Sequence, residues 1–306
     1  FSSNDVDKTL ADSTSFEKFS AGAELNVAIG ISRLNFQSAY ISAIGSDFTG
    51  EFIQHELSAN DVDTTSLIQK PNEYTGFYFK NRVSTGDPQV SYFRNNSAVN
   101  HLQPEDLTES VFDGLRVLHI TGISLALSKS AQQLAEYLIA KAHQLNALVT
   151  FDPNIRPQLW KSELDMKTTI NRVASLCDVI IPGVKEGRQL TGNTDLEAIA
   201  DFYLDIPRQS LVVLKNGTVG AFAKDNNGEI IKVPSFHVDH VVDTVGAGDG
   251  FATGLISGLL DGLTVKESLV RATAIGALAI QSEGDNAGYP TMKQLDSYIQ
   301  TSSVAD

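Results

Sequence analysis

The sequence is poor in cysteine, with Cys177 alone among 306 residues. An internal disulfide is excluded, and a reducing, cytoplasmic setting is expected. No group of Cys and His has the spacing of a zinc site. His237 and His240 stand three apart but read as ordinary polar residues. No run of about 18 residues is free of charge, so no membrane span is expected. No basic segment followed by an apolar one marks a secretory signal. Positive charge is also scarce: 37 Asp and Glu face 23 Lys and Arg, a formal net charge of −14. Such a surface repels nucleic acid and anionic lipid, so neither is expected as a partner. It repels nucleotides too, so an anionic ligand needs a local cation or free main-chain N–H groups.

What is present is alternation. Residues 20–36 read as a helix with Leu25, Ile29 and Leu34 on one apolar face. A strand over 39–44 and a helix over 46–57 follow, the helix with Phe48, Phe52, Ile53 and Leu57 turned inward. Residues 74–94 are β-prone and are broken by Thr85-Gly86-Asp87-Pro88, which predicts a hairpin. Strands at 117–120, 147–151, 179–181 and 210–215 then alternate with helices at 130–144, 162–177 and 196–202. A second hairpin at 221–233 and helices at 246–260, 265–281 and after Thr291 close the chain. This order predicts a mostly parallel sheet with helices on both faces, and a small β appendage over a site. No repeat or linker divides residues 1–306, so a single domain is expected.

The segment with most chemical content is Val242-Asp243-Thr244-Val245-Gly246-Ala247-Gly248-Asp249-Gly250-Phe251, between a strand and a strong helix. Gly246 and Gly248 leave the backbone open to an approaching phosphate. Gly246-Ala247-Gly248 opens a helix, where unpaired N–H groups and the helix dipole favour an anion. Asp249 in the first turn is placed to take a proton from an attacking hydroxyl. Neither a Walker loop nor a dinucleotide fingerprint is present.

The string DTVGAGDGF resembles the C-terminal signature of the ribokinase-like (PfkB) carbohydrate kinases, and Ala21–Ala28 resembles the family's N-terminal Gly-Gly segment, with Ala21 for the first Gly. The resemblance extends over nearly the whole chain and implies an opening strand upstream of Phe1. It implies a ribokinase-like three-layer α/β/α sandwich with a small β-sheet lid, formed by about 1–19 and 70–100. Four segments, GAELNVA at 22–28, YTGFYFK at 74–80, SYFRNNSA at 91–98 and DPNIRPQLW at 152–160, are most similar to family members acting on a keto-deoxy sugar acid. The implied reaction is ATP- and Mg2+-dependent phosphorylation of 2-keto-3-deoxygluconate at its primary hydroxyl. A neutral-sugar kinase and a non-catalytic sugar-acid sensor are the alternatives.

Residue by residue, the resemblance makes Asp249 the catalytic base and Gly246, Ala247 and Gly248 the anion hole. It assigns Gly22, Asn26, Tyr78, Tyr92, Arg94, Arg156 and Asp285 to the sugar. It assigns Asn154, Lys215, Gly217, Gly220 and Thr244 to ATP. Glu186 is assigned to magnesium, through water, with Gly183 where the family usually has Asn. Arg suits a carboxylate because its planar charged fork donates two parallel bonds. Tyr92 and Arg94, two apart on a strand, face the same side. A lid of this kind is expected to pair subunits into a homo-oligomer.

Overall fold

The computed structural model describes residues 1–86 and 88–304. Part of the expected Thr85–Pro88 turn, Asp87, lies outside the described residues. Along the chain run β1 (Ser2–Val6), β2 (Phe16–Glu17), α1 (Ala23–Arg33), β3 (Ser42–Gly45), α2 (Phe48–Ala59), β4 (Leu67–Lys70), β5 (Phe77–Arg82) and β6 (Val90–Phe93). Then come β7 (Val117–Thr121), α3 (Gly122–Leu125), α4 (Lys129–Gln144), β8 (Leu148–Asp152), α5 (Glu163–Ala174), β9 (Val179–Ile180), α6 (Val184–Thr191) and α7 (Leu196–Leu204). The chain ends with β10 (Leu211–Lys215), β11 (Ala221–Asp225), β12 (Ile230–Val233), α8 (Ala247–Leu260), α9 (Val265–Ala279) and α10 (Met292–Thr301).

The six-stranded sheet has the order β12-β11-β10-β9-β8-β7. Strands β7 to β10 are parallel, and β11 and β12 add an antiparallel edge. Because strand side chains alternate, Val149 and Phe151 of β8 pack with Leu138 of α4, Ile170 of α5 and Tyr203 of α7. Leu211 and Val213 of β10 point the other way, against Val27 of α1, Leu255 of α8 and Leu269 of α9. Fully burying each large apolar side chain contributes about 1.5–3 kcal/mol. These two clusters hold the three layers together; exposed ion pairs, at about 0–1 kcal/mol each, do not. The parallel strands end at one edge in Thr121, Asp152 and Lys215, a polar rim where ligands gather in open α/β sheets.

A separate four-stranded sheet has the order β2-β1-β5-β6. Tyr78 of β5 pairs with Tyr92 of β6, and Phe77 with Phe93, so one face carries tyrosines and the other phenylalanines. The hairpin's first strand begins at Phe77, three residues later than the β-prone run suggests, because the preceding segment is pinned elsewhere. There Thr75 N–H donates to Asp47 Oδ2 at 2.8 Å.

One inward residue is a correction. Phe48 is 65% exposed. Asp47 caps α2 by accepting from Gly50 N–H at 2.8 Å, and this sets the first turn so that Thr49 and Gly50 face the protein instead. Leu57 is buried as expected, and Phe52 and Ile53 are half-buried. Among the described residues no helix is long and apolar enough to cross a membrane.

Candidate active site

Helix α8 starts without a side-chain cap, and its N-cap Gly246 has φ 80°, in the left-handed region. A Cβ at Gly246 would sit 1.7 Å from the Asp285 carbonyl oxygen, so only glycine fits. Tyr289 Oη donates to the Gly246 carbonyl at 2.7 Å and fixes the turn from behind. Further along, a Cβ at Gly254 would lie 2.5 Å from Ala272 Cα, so α8 is pressed against α9 and gives a rigid mount.

Asp249 lies in the first turn of that mount. Its Oδ2 accepts from Asn26 Nδ2 at 2.8 Å, and its Oδ1 accepts from Asn154 Nδ2 at 3.3 Å. Asn26 is itself oriented by Asn286, whose Nδ2 donates to Asn26 Oδ1 at 2.9 Å. Burial pushes the Asp249 carboxyl up to about 7; the Asn26 hydrogen bond opposes this, the nearby Asp152 carboxylate adds to it and Lys215 opposes it. A carboxyl raised towards neutrality is thus held by two amides in the first turn of the helix.

Beside it lies a group of opposed charges. Lys215, at the end of β10, donates to Asp152 at the end of β8, one strand removed. Burial alone would depress the Lys215 ammonium, but Asp152, Glu186 and Asp249 outweigh it and hold it above the usual lysine range. Glu186 Oε1 accepts from Ile155 N–H, and Oε2 from Gly183 N–H, both at 2.7 Å. Burial raises its carboxyl, while Lys215 opposes the rise. Three carboxylates thus share one ammonium.

The residues expected on the sugar side line the same cavity, about 510 Å³ in volume. Arg94 packs its guanidinium carbon 4.2 Å from the centre of the Tyr92 ring. Its Nε and Nη2 are buried and have no hydrogen-bond partner among the described residues. Burial depresses its pKa, and the Arg156 charge acts in the same direction. Arg156 makes one side-chain bond among the described residues, from Nη1 to the Ile155 carbonyl at 2.9 Å. Two guanidiniums therefore share a cavity wall, and among the described residues no acid is paired to either.

Gly22, Asn26, Tyr78, Tyr92, Asn154, Glu186, Lys215, Thr244, Gly246, Gly248, Asp249 and Asp285 all line this cavity too. Burial pushes the Asp285 carboxyl up to about 6, with Lys80 pulling against it. Gly217 and Gly220 are not in its wall. Gly217 stands exposed with φ 56°, and Gly220, with φ 112°, is pressed against the backbone of β12. Ala247 is not in the wall either; what it offers is the main-chain N–H of the first helical position.

Three residues that the sequence reading left without a role also belong here. Asp152 pairs with Lys215, and its place at a strand's carboxyl end was a usable signal. Asn286 orients Asn26. Glu24 lines the cavity, with its Oε1 accepting from Thr121 Oγ1 at 2.7 Å and Ser124 Oγ at 2.5 Å. No sequence spacing pointed to either of those two.

The arrangement fits a nucleotide with its metal. The uncapped amides suit phosphate oxygens, and a Cβ at Gly248 would point at Lys215 Nζ, 3.5 Å away, so phosphate has a cation facing the helix start. Among the described residues no group of three or more His, Cys, Asp or Glu could hold a metal ion by itself.

The profile of the pfkB family carbohydrate kinases matches residues 2–292. The chain is 42% identical over 291 residues to a 2-dehydro-3-deoxygluconokinase of Bacillus subtilis (strain 168), covering 95% of this chain and 89% of that protein. It superimposes on a PfkB protein from Polaromonas sp. JS666 with a TM-score of 0.88, at 37% identity and covering 97% and 95% of the two chains. A putative ribokinase II from E. coli in complex with ATP and Mg2+ superimposes with a TM-score of 0.89, at 26% identity and covering 98% and 95%.

Proposed function

Because the chain belongs to the pfkB family of carbohydrate kinases, we propose that it transfers the γ-phosphoryl group of ATP to the primary hydroxyl of 2-keto-3-deoxygluconate (2-dehydro-3-deoxy-D-gluconate), giving the 6-phosphate and ADP. One observation carries the choice of a sugar acid over a neutral sugar. Two nitrogens of the Arg94 guanidinium, Nε and Nη2, are buried in the wall of the Asp249 cavity with no partner among the described residues. A partly buried cation with no acid beside it favours a ligand that brings an anion. A carboxylate gripped by Arg94 and Arg156 supplies it.

Asp249 takes the proton from the attacking hydroxyl as oxygen meets phosphorus in line. The amides of Ala247, Gly248 and Asp249 and the Lys215 ammonium stabilise charge on the transferring group. Magnesium, carried in with the nucleotide, would neutralise the phosphates, with Asp152 and Glu186 as its protein partners through water. Tyr78, Tyr92 and Asp285 position the sugar, and the loop at Gly217–Gly220 meets the nucleotide. The small sheet acts as a lid within one kinase domain, excluding water that would otherwise be phosphorylated. Its outer aromatic face, where Phe93 is 46% exposed, is covered by a second copy of the chain; a sedimentation mass of one chain removes that part. The setting is the cytoplasm, where ATP is available and Cys177 stays reduced.

The test is a screen of keto-deoxy acids, aldonic acids and neutral sugars with MgATP, scored by ADP release. 2-Keto-3-deoxygluconate should give the highest kcat/KM. A neutral sugar such as fructose ahead of every acid would overturn the reading.

A further inference from the structure

The small sheet is tied ionically to the loop that builds the anion hole. Lys80 Nζ on β5 donates to Asp243 Oδ2 at 2.7 Å, and the two side chains are only 14% and 20% exposed. The other carboxylate oxygen, Asp243 Oδ1, accepts from Val245 N–H at 3.1 Å. One carboxylate thus shapes the turn entering Gly246 and receives a cation from a sheet 163 residues away in sequence. Lys80 lies two residues beyond Tyr78, so both share the face of β5 that looks into the cavity, and both line it. A second tie runs from Arg82 Nη2 to Glu283 Oε2 at 2.8 Å, two residues before Asp285, whose carbonyl abuts Gly246. That pair is more exposed, at 32% and 49%, and is the weaker of the two.

We propose that Lys80 is a positioning residue that couples sugar bound beneath the small sheet to the shape of the anion hole, through Asp243. The inference rests on the kinase reading above. A largely covered ion pair contributes little net stability, because desolvation offsets its attraction, but it holds one geometry against others. Here that geometry includes the Val245 turn. Sugar against Tyr78 holds β5 where Lys80 reaches Asp243. When β5 moves away, the Asp243 carboxylate loses its cation and the turn before Gly246 loses a constraint. Phosphate is then gripped well only with sugar in place, which limits transfer to water.

The experiment uses the full chain with Lys80→Met, which keeps the aliphatic stem, and Lys80→Arg. Readouts are kcat, KM for sugar and ATP, thermal midpoint, and affinity for the magnesium complex of a non-hydrolysable ATP analogue with and without sugar. For Lys80→Met, kcat should fall about 10- to 100-fold while sugar KM changes by less than about threefold. The gain in analogue affinity on adding sugar should disappear. Lys80→Arg should restore most of both. The proposal is overturned if Lys80→Met keeps kcat within about twofold of the parent, or if its analogue binding still responds to sugar. It is equally overturned if Lys80→Arg fails to rescue a folded enzyme. Whichever sugar the parent phosphorylates fastest serves in these assays, so a wrong substrate assignment shows in the screen and leaves the Lys80 outcome readable.

Discussion

Arg94 and Lys215 are both largely buried cations in one cavity, and they are matched in opposite ways. Arg94 leans on an aromatic ring and has two nitrogens with no partner among the described residues. Lys215 is bonded to Asp152 and also feels Glu186 and Asp249. One end of the cavity is short of negative charge; the other has more than it can balance. Each imbalance implies a different missing species. In the reading proposed above, the Arg94 end receives an anion on the substrate. At the Lys215 end burial raises the Glu186 and Asp249 carboxyls, so a proton or an added cation balances the surplus, and in the reading proposed above the nucleotide's magnesium is that cation. The net charge of −14 makes the contrast sharper, since anions reach this chain only where such local devices exist.

The largest expected effect comes from the acid-rich end. Asp249→Asn keeps the shape of the side chain but cannot take a proton. Turnover should fall about 10³-fold, with the KM for sugar changed by only a small factor. Steady-state assays with MgATP decide it, and turnover within tenfold of the parent would remove Asp249 from the role of base. At the other end, Arg94→Ala removes charge-assisted bonds worth about 1.5–3 kcal/mol. The KM for the sugar acid should rise about 10- to 100-fold, while any residual neutral-sugar activity stays within about threefold. If acid and neutral sugar suffer alike, the two ends do not differ as the charges suggest.

Much of this contrast was legible in the sequence, and the reason is locality. Gly-Ala-Gly-Asp between a strand and a helix states its backbone requirement within four residues, and Gly246 does adopt the left-handed conformation. Tyr92 and Arg94 were placed together by strand alternation; β6 ends at Phe93, one residue short of Arg94, yet the two side chains do stack. The Lys215–Asp152 pair was not legible. It joins strands 63 residues apart, separated by a two-residue strand, and only the sheet order brings them together. Short elements such as β4 and α3 carry too few residues for a hydrophobic period to show. Phe48 misled for a related reason: its hydrophobicity was visible, but the turn of the helix is set by the Asp47 cap.

The smallest expected effect tests whether the acid-rich end is strained. Asp249 has its carboxyl raised from 3.8 to about 7, chiefly by burial. A raised carboxyl binds its proton more tightly in the folded chain than in the unfolded one. Between those two pH values the folded state therefore holds more protons, and stability falls as pH rises through the window. The cost is absent below about pH 4 and complete above about pH 7, at roughly 2–4 kcal/mol as an upper bound. Asparagine at this position removes that ionisation. The thermal midpoint of Asp249→Asn relative to the parent should therefore climb by a few degrees between pH 5 and pH 8. The same carboxyl should set the acid limb of kcat/KM, falling about tenfold per unit below pH 7. A midpoint difference that stays flat across the window, with an acid limb near pH 4, would mean that Asp249 ionises freely. The excess negative charge at the Lys215 end would then already be compensated without a metal.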